Sequence, residues 1–230
     1  RKCTYDRKIN ISRRMKIAII GATGFVGSKI VQEALFRNHK VVALSRNRAK
    51  LPISESIQPY EVDITDTNAL ATAIDGCDVV VHAFAAPRTE SVENRIQKQI
   101  EGTTSIIEAV KRVKIKRIIA IGGAGTSEVA PGVALKDSYF FPSRFEGGAR
   151  STAVIKELLE KETDLDWVSI SPPNFLEEGE RTGKYRTGKD NLIVDLTIGR
   201  SYISTADYAV AVLDEIENPK HYKQRFTVGK

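Results

Sequence analysis

Short apolar runs rich in β-branched residues alternate along the chain with longer segments of helical period. Residues 16–20 read as a strand buried on both faces. Residues 25–37 carry Val26, Ile30, Val31, Ala34 and Leu35 at three- and four-residue spacing, the pattern of a helix with one apolar face. Residues 40–44, 58–62, 78–82, 116–121 and 167–171 read as further strands. Between them, residues 67–74 (capped by Thr65 or Asp66), 91–113 and 143–163 read as helices. Gly147 and Gly148 weaken the start of the last by about 1 kcal/mol each. Ser204, with Asp207 three residues on, opens a final helix that ends before Pro219. Residues 122–142 read as a loop, 187–190 as the turn of a hairpin, and 225–228 as an edge strand. Strands separated by helical crossovers predict one α/β domain: a Rossmann-like, doubly wound parallel sheet with helices on both faces.

The 230 residues are 41% hydrophobic and 28% charged, an ordinary globular balance that fits a single domain. A formal charge of +6 suggests nucleic acid, but its distribution argues against it. Residues 1–14 hold six bases and one acid, whereas the remaining 29 bases face 28 acids. The body therefore lacks the basic stripe that a phosphate backbone requires, and no nucleic-acid partner is expected. No apolar window is long enough to span a membrane. The single methionine, Met15, directly precedes the first apolar run, so residues 1–14 read as a basic leader, flexible or appended, ahead of a domain at 15–230. A secretory signal does not fit, because that run meets a glycine turn after a few residues. With Cys3 in the leader, the body keeps only Cys77, as expected in a reducing cytoplasm. Asp75 and Asp78 beside it would raise its pKa, so it reads as inert. The three histidines are scattered without metal-ligand spacing, and no metal is expected.

The sequence that follows the first strand is Gly21-Ala22-Thr23-Gly24-Phe25-Val26-Gly27, running into a helix. A pyrophosphate there would meet unpaired amides and the positive end of the helix dipole. Gly21 would make the tight turn, Gly24 would let backbone approach the phosphates, and Gly27 would let helix and sheet pack closely. The end of the second strand discriminates between dinucleotides. An NAD site places an acid there for the ribose 2′-hydroxyl, but this chain reads Ser45-Arg46-Asn47-Arg48. Arg46, helped by Ser45, is suited to a 2′-phosphate, so NADP(H) is expected over NAD(H). The alternative is that Arg46 is an ordinary solvated residue.

Taken together, GATGFVG, SRN after the second strand, IGGAG at 121–125, SPPNFLEEGERTGKY at 171–185 and the closing ISTADYAVAVLDEIENP resemble the atypical short-chain dehydrogenase/reductases. More narrowly the chain is similar to the NADH-flavin reductase group, relatives of biliverdin-IXβ/flavin reductase and of the NmrA-like sensors. The resemblance covers nearly all of residues 16–228. It implies that Thr23, Gly24, Phe25 and Val26 hold the pyrophosphate and that Asp63 and Ile64 flank the adenine. Ala83, Phe84 and Ala85 would line the ribose and nicotinamide side. Gly122, Gly123, Pro172, Pro173 and Asn174 would surround the nicotinamide.

The catalytic pattern departs from that of most short-chain dehydrogenases, which use a Tyr-x-x-x-Lys pair as acid or base. Tyr185 and Lys189 match it in text only, because they fall in a hairpin and not on a helix. Thr126, Ser127 and Tyr139 are the remaining weak candidates. The serine and histidine of biliverdin-reducing relatives are replaced by Gly122-Gly123 and Asn174, which argues against biliverdin reduction. His82 reads as a buried strand-end histidine bonded to backbone. Flavin reduction needs alignment more than a tuned acid. Phe84, Tyr139, Phe140, Asn174 and Phe175 would form the acceptor pocket, with flavin as a substrate and not a tightly held cofactor. The leading expectation is an NAD(P)H-dependent reductase of a free flavin, quinone or similar planar acceptor, monomeric or homodimeric. A non-catalytic NADP(H) sensor is the alternative, and an epimerase or dehydratase is disfavoured by the missing pair.

Overall fold

The computed structural model describes residues 13–230. Most of the leader expected at 1–14 lies outside the described residues. The domain is built on an eight-stranded sheet. Its strands are β1 (Lys16–Ile20), β2 (Lys40–Ser45), β3 (Ile57–Glu61), β4 (Val79–His82), β5 (Arg117–Ile121), β8 (Asp166–Ser171), β10 (Arg186–Gly188) and β12 (Gln224–Gly229). Two minor sheets pair β6 (Glu128–Ala130) with β7 (Val133–Ala134), and β9 (Phe175–Glu177) with β11 (Tyr202–Ser204). The order across the main sheet is β10-β12-β8-β5-β4-β1-β2-β3. Every pairing is parallel except that of β10 with β12.

The two-residue period of the strands divides the core. Ile17, Ile19, Val41, Val79, Val81, Ile119 and Val168 face α1 (Gly27–Phe36) and α5 (Thr205–Glu217). Ala18, Ile20, Val42, Val80, Ile118 and Trp167 face α2 (Thr67–Ile74), α3 (Val92–Arg112) and α4 (Glu146–Leu159). Strands covered on both faces must be apolar at nearly every position, which is why they read as continuous runs. The expected caps form. Asp66 accepts from the Ala69 amide at 2.9 Å and Ser204 from the Asp207 amide at 3.0 Å.

Three expectations need correction. Strand β12 is not an edge, because β10 covers it in antiparallel register from Arg186↔Gly229 to Gly188↔Thr227. For the same reason residues 187–190 are not the turn of a local hairpin: their partner lies some forty residues on. A Cβ on Gly188 would stand 2.7 Å from Thr227 Oγ1, so the glycine serves close approach of two strands. Residues 122–142 are not plain loop either. They hold the β6–β7 hairpin, turning at Gly132 with φ +74°, and two short 3-10 turns.

The far end of α1 is knitted to α5 by charge. Arg37 donates to Glu33 at 2.8 Å and to Asp214 and Glu217 at 2.7 Å. Arg181 donates to the two oxygens of Glu33 at 2.6 and 2.8 Å. Burial alone would raise the Glu33 pKa, but the two guanidiniums outweigh it and hold the carboxyl below its ordinary range.

Candidate functional site

At the carboxyl end of β1 the chain turns sharply, with the Gly21 and Ala22 amides both donating to the Leu44 carbonyl at 3.0 and 3.1 Å. Gly21 has φ +88°, and a Cβ there would lie 2.6 Å from the Ala83 carbonyl oxygen. A Cβ on Gly27 would lie 2.1 Å from the Gly21 oxygen. Glycine at both places lets the start of α1, the end of β1 and the end of β4 meet backbone to backbone. The first helical hydrogen bonds run from Ser28 to Gly24 and from Ile30 to Val26, so the Phe25, Val26 and Gly27 amides have no helical acceptor. No side chain caps this end, and its first turn holds no acid. Donors, positive dipole and lack of competing anion together fit a dinucleotide pyrophosphate.

Thr23 and Ser45 share a hydrogen bond at 3.0 Å, joining this turn to the end of β2, and the Ser45 hydroxyl also accepts from the Asn47 amide at 3.0 Å. Arg46 follows on the surface, with no ion pair among the described residues. Asp63, beyond β3, accepts from the Thr65 amide at 2.9 Å and its hydroxyl at 2.8 Å; these bonds and the charge of Arg46 hold its pKa down. The Phe84 ring packs beside Ile64 and Gly102, where a glycine Cβ would meet it at 2.6 Å. Phe84 thus stands with Ile64 and α3, beneath the loop that carries exposed Ala85.

At the ends of β5 and β8 the lining is small and largely backbone. The Gly122 amide donates to the Ile170 carbonyl at 2.8 Å, and Pro172 and Pro173 are buried just beyond. A Cβ on Gly123 would stand 2.1 Å from Thr152 Oγ1, which brings α4 against the end of β5. Asn174 is exposed, its amide donating to Ser201 Oγ at 3.1 Å.

The acid candidates are otherwise engaged. Thr126 donates to the Gly123 carbonyl at 3.1 Å, and Ser127 is buried against Arg225 at 3.4 Å. Tyr139 is 95% exposed and packs edge-on against Phe140. No aromatic contact among the described residues joins that pair to Phe84 or Phe175, and the Phe175 ring lies under Arg200 at 4.4 Å. The four aromatics therefore do not form one continuous wall. Tyr185 donates to Asp214 at 2.5 Å within the charge cluster behind α1, where burial and that carboxylate push its pKa up. A general base or acid needs the opposite shift.

His82 is fully buried, as read from the sequence, and its Nε2 lies 3.0 Å from the Thr103 hydroxyl. Burial lowers its pKa to about 4. Gln99 donates to Thr103 at 3.2 Å and accepts from the Ala86 amide at 3.0 Å and from Ser151 at 3.4 Å. This buried chain ties the loop after β4 to α3 and α4. Sequence reasoning missed it, although Gln99 and Thr103 interrupt the apolar stripe of α3. Cys77 is buried, and burial more than its neighbouring acids pushes the thiol up to about 11. No helix of the described residues is long and apolar enough to cross a membrane, and no three His, Cys, Asp or Glu among them could share a metal ion.

The comparisons with known proteins agree with this geometry. A family model described as NAD(P)H-binding matches residues 21–219. The uncharacterised protein YwnB of Bacillus subtilis is 39% identical over 218 residues, spanning 93% of this chain and 98% of that protein. A Bacteroides thetaiotaomicron structure provisionally described as an epimerase is 38% identical with a TM-score of 0.85, covering 94% of this chain and 97% of that one. A Streptococcus pneumoniae structure provisionally described as an NADH-flavin reductase is 27% identical with a TM-score of 0.82, covering 94% and 99%. The open helix start, the glycines that crowd it and these matches have one conclusion: the chain belongs to the NAD(P)H-binding family and has its Rossmann-type, short-chain-dehydrogenase-like fold.

Proposed function

We propose that the protein is an NADPH-dependent reductase that passes hydride to a planar acceptor, a free flavin or a quinone. The observation that carries this reading is the lining at the ends of β4, β5 and β8. There Ala83, Ala85, Gly122, Gly123, Pro172 and Pro173 present small groups and backbone, while Thr126 is bonded to the Gly123 carbonyl, Ser127 is buried against Arg225, Tyr185 is held by Asp214 and Tyr139 stands exposed. Such a surface can hold two flat rings in contact but cannot supply a tuned proton. Flavin reduction matches it, since the proton that follows hydride can come from water. When bound, NADPH supplies the hydride. The turn at 21–27 would hold its pyrophosphate. Arg46, unpaired beside Ser45, would take the 2′-phosphate and so favour NADPH over NADH. A lone buried thiol in the body supports a cytoplasmic setting.

The test is NADPH oxidation followed by absorbance, with and without FMN, repeated with NADH. Turnover that depends on FMN and favours NADPH is the expected result. Binding of NADPH without turnover on flavin or quinone would reject the reductase and leave a redox sensor, the reading that the missing tyrosine–lysine pair favours.

A further inference from the structure

Among the described residues, a cation without a partner stands beside the loop that follows β4. Arg95 lies in the first turn of α3, one turn above Gln99, whose carbonyl holds the Ala86 amide. Across from it is the start of α4: a Cβ on Gly148 would lie 3.6 Å from Arg95 Nη1 and from Nη2. Gly148 in turn accepts from Thr152, the residue pressed against Gly123 at the end of β5. Arg95 is thereby placed over the gap between the ends of β4 and β5. Its Nε is buried with no acceptor, and the residue has no ion pair among the described residues. Burial lowers its pKa, and the like charge of Arg88 lowers it further. Nearby acids are spoken for, with Glu90 paired to Lys98 and Glu146 to Arg150 at 3.2 Å.

A guanidinium that is partly buried and lacks an anion among the described residues is a costly arrangement for stability alone. A guanidinium is suited to phosphate, which it can meet with two parallel N–H groups. The missing side chain at Gly148 leaves its face uncovered.

We infer that Arg95 anchors an anionic tail of the acceptor, so that the acceptor is a flat ring carrying a phosphate, of the kind FMN is and riboflavin is not. The inference rests on the reductase reading for the ring but not for the anchor, and the test separates the two. Binding of FMN and of riboflavin to the NADP⁺-saturated protein is measured by flavin fluorescence, beside NADPH oxidation with each, for the wild type, Arg95→Gln and Arg95→Lys. FMN should bind more tightly than riboflavin, and Arg95→Gln should weaken FMN by about tenfold or more while leaving riboflavin unchanged. Arg95→Lys should recover part of the loss, NADP⁺ affinity should stay as in the wild type, and the melting temperature of Arg95→Gln should not fall. Equal binding of the two flavins, no binding of either, or a preference that survives Arg95→Gln would overturn the anchor. A matching loss of NADP⁺ affinity would assign Arg95 to the dinucleotide and overturn it as well. Phosphate-dependent binding without turnover would keep the anchor and remove the reductase.

Discussion

The two ends of α1 are opposites. At its start, three backbone amides point outward with no side-chain cap, no acid and a glycine on either side of the turn. At its finish, Arg37 is bonded to three carboxylates and Glu33 to two guanidiniums, with Tyr185 fastened to the same cluster through Asp214. Both ends are rich in polar groups, yet only one leaves them without partners. Polar groups satisfied by the chain itself hold the fold, whereas groups left open in a concave place await something the chain does not contain. The same contrast explains why the textual Tyr-x-x-x-Lys match at Tyr185 is not catalytic: it belongs to the closed end.

That contrast can be broken by experiment. The largest effect should come from Glu33→Ala, which leaves half-exposed Arg181 without its carboxylate and Arg37 with two of its three, and should cost about 3–4 kcal/mol in urea unfolding. NADPH affinity of the folded variant should be unchanged; a parallel loss would mean that the two ends are coupled. Next is His82, a base kept neutral by burial. Between its ordinary pKa of 6.5 and its folded value of about 4, the unfolded chain takes up a proton that the folded one refuses. Stability should therefore be lost as pH is lowered through that window, by about 1.4 kcal/mol per unit and on the order of 3 kcal/mol in total. His82→Asn should flatten this slope, and an unchanged slope would show that another group causes it. Glu33 and Asp207, whose pKa values are lowered, add a further loss only as pH drops below their ordinary 4.5 and 3.8.

At the open end, Arg46→Asp should weaken NADPH by about 1.5–3 kcal/mol and shift preference toward NADH. Equal affinities before and after would take Arg46 out of the 2′-phosphate site. The smallest effect is expected for Tyr185→Phe, about 1 kcal/mol of stability with reductase activity retained. A collapse in turnover would return that tyrosine to the chemistry.

The open end was legible because its signals are local. The β-branched run and the three glycines at fixed spacing all lie within residues 16–27. Strand β10 was not, since Arg-Thr-Gly has no apolar pattern and owes its place to backbone pairing with the last strand. The groove between α3 and α4 lay between these cases. The inward stripe Val92, Arg95, Gln99, Thr103, Ile106 and Val110 follows helical spacing. Its three polar members were visible but unread, because spacing gives the face of a helix and not what lies opposite. Tyr139 and Phe140 were placed in the pocket on hydrophobicity, yet they stand 95% and 87% exposed on a loop whose course no pattern encodes.

The short strand β10 has a consequence for how the protein behaves in a crowded solution. Without it, β12 would offer one unpaired side of a six-residue strand as a template for a strand from another molecule. Three residues of β10 cover half of that length, and Arg186 fastens its guanidinium to the Lys230 carbonyl at the tip. On the opposite border, Pro59 removes an amide from β3. With both borders blunted, sheet-to-sheet aggregation has no ready starting point, and removing β10 should promote the association of copies through β12.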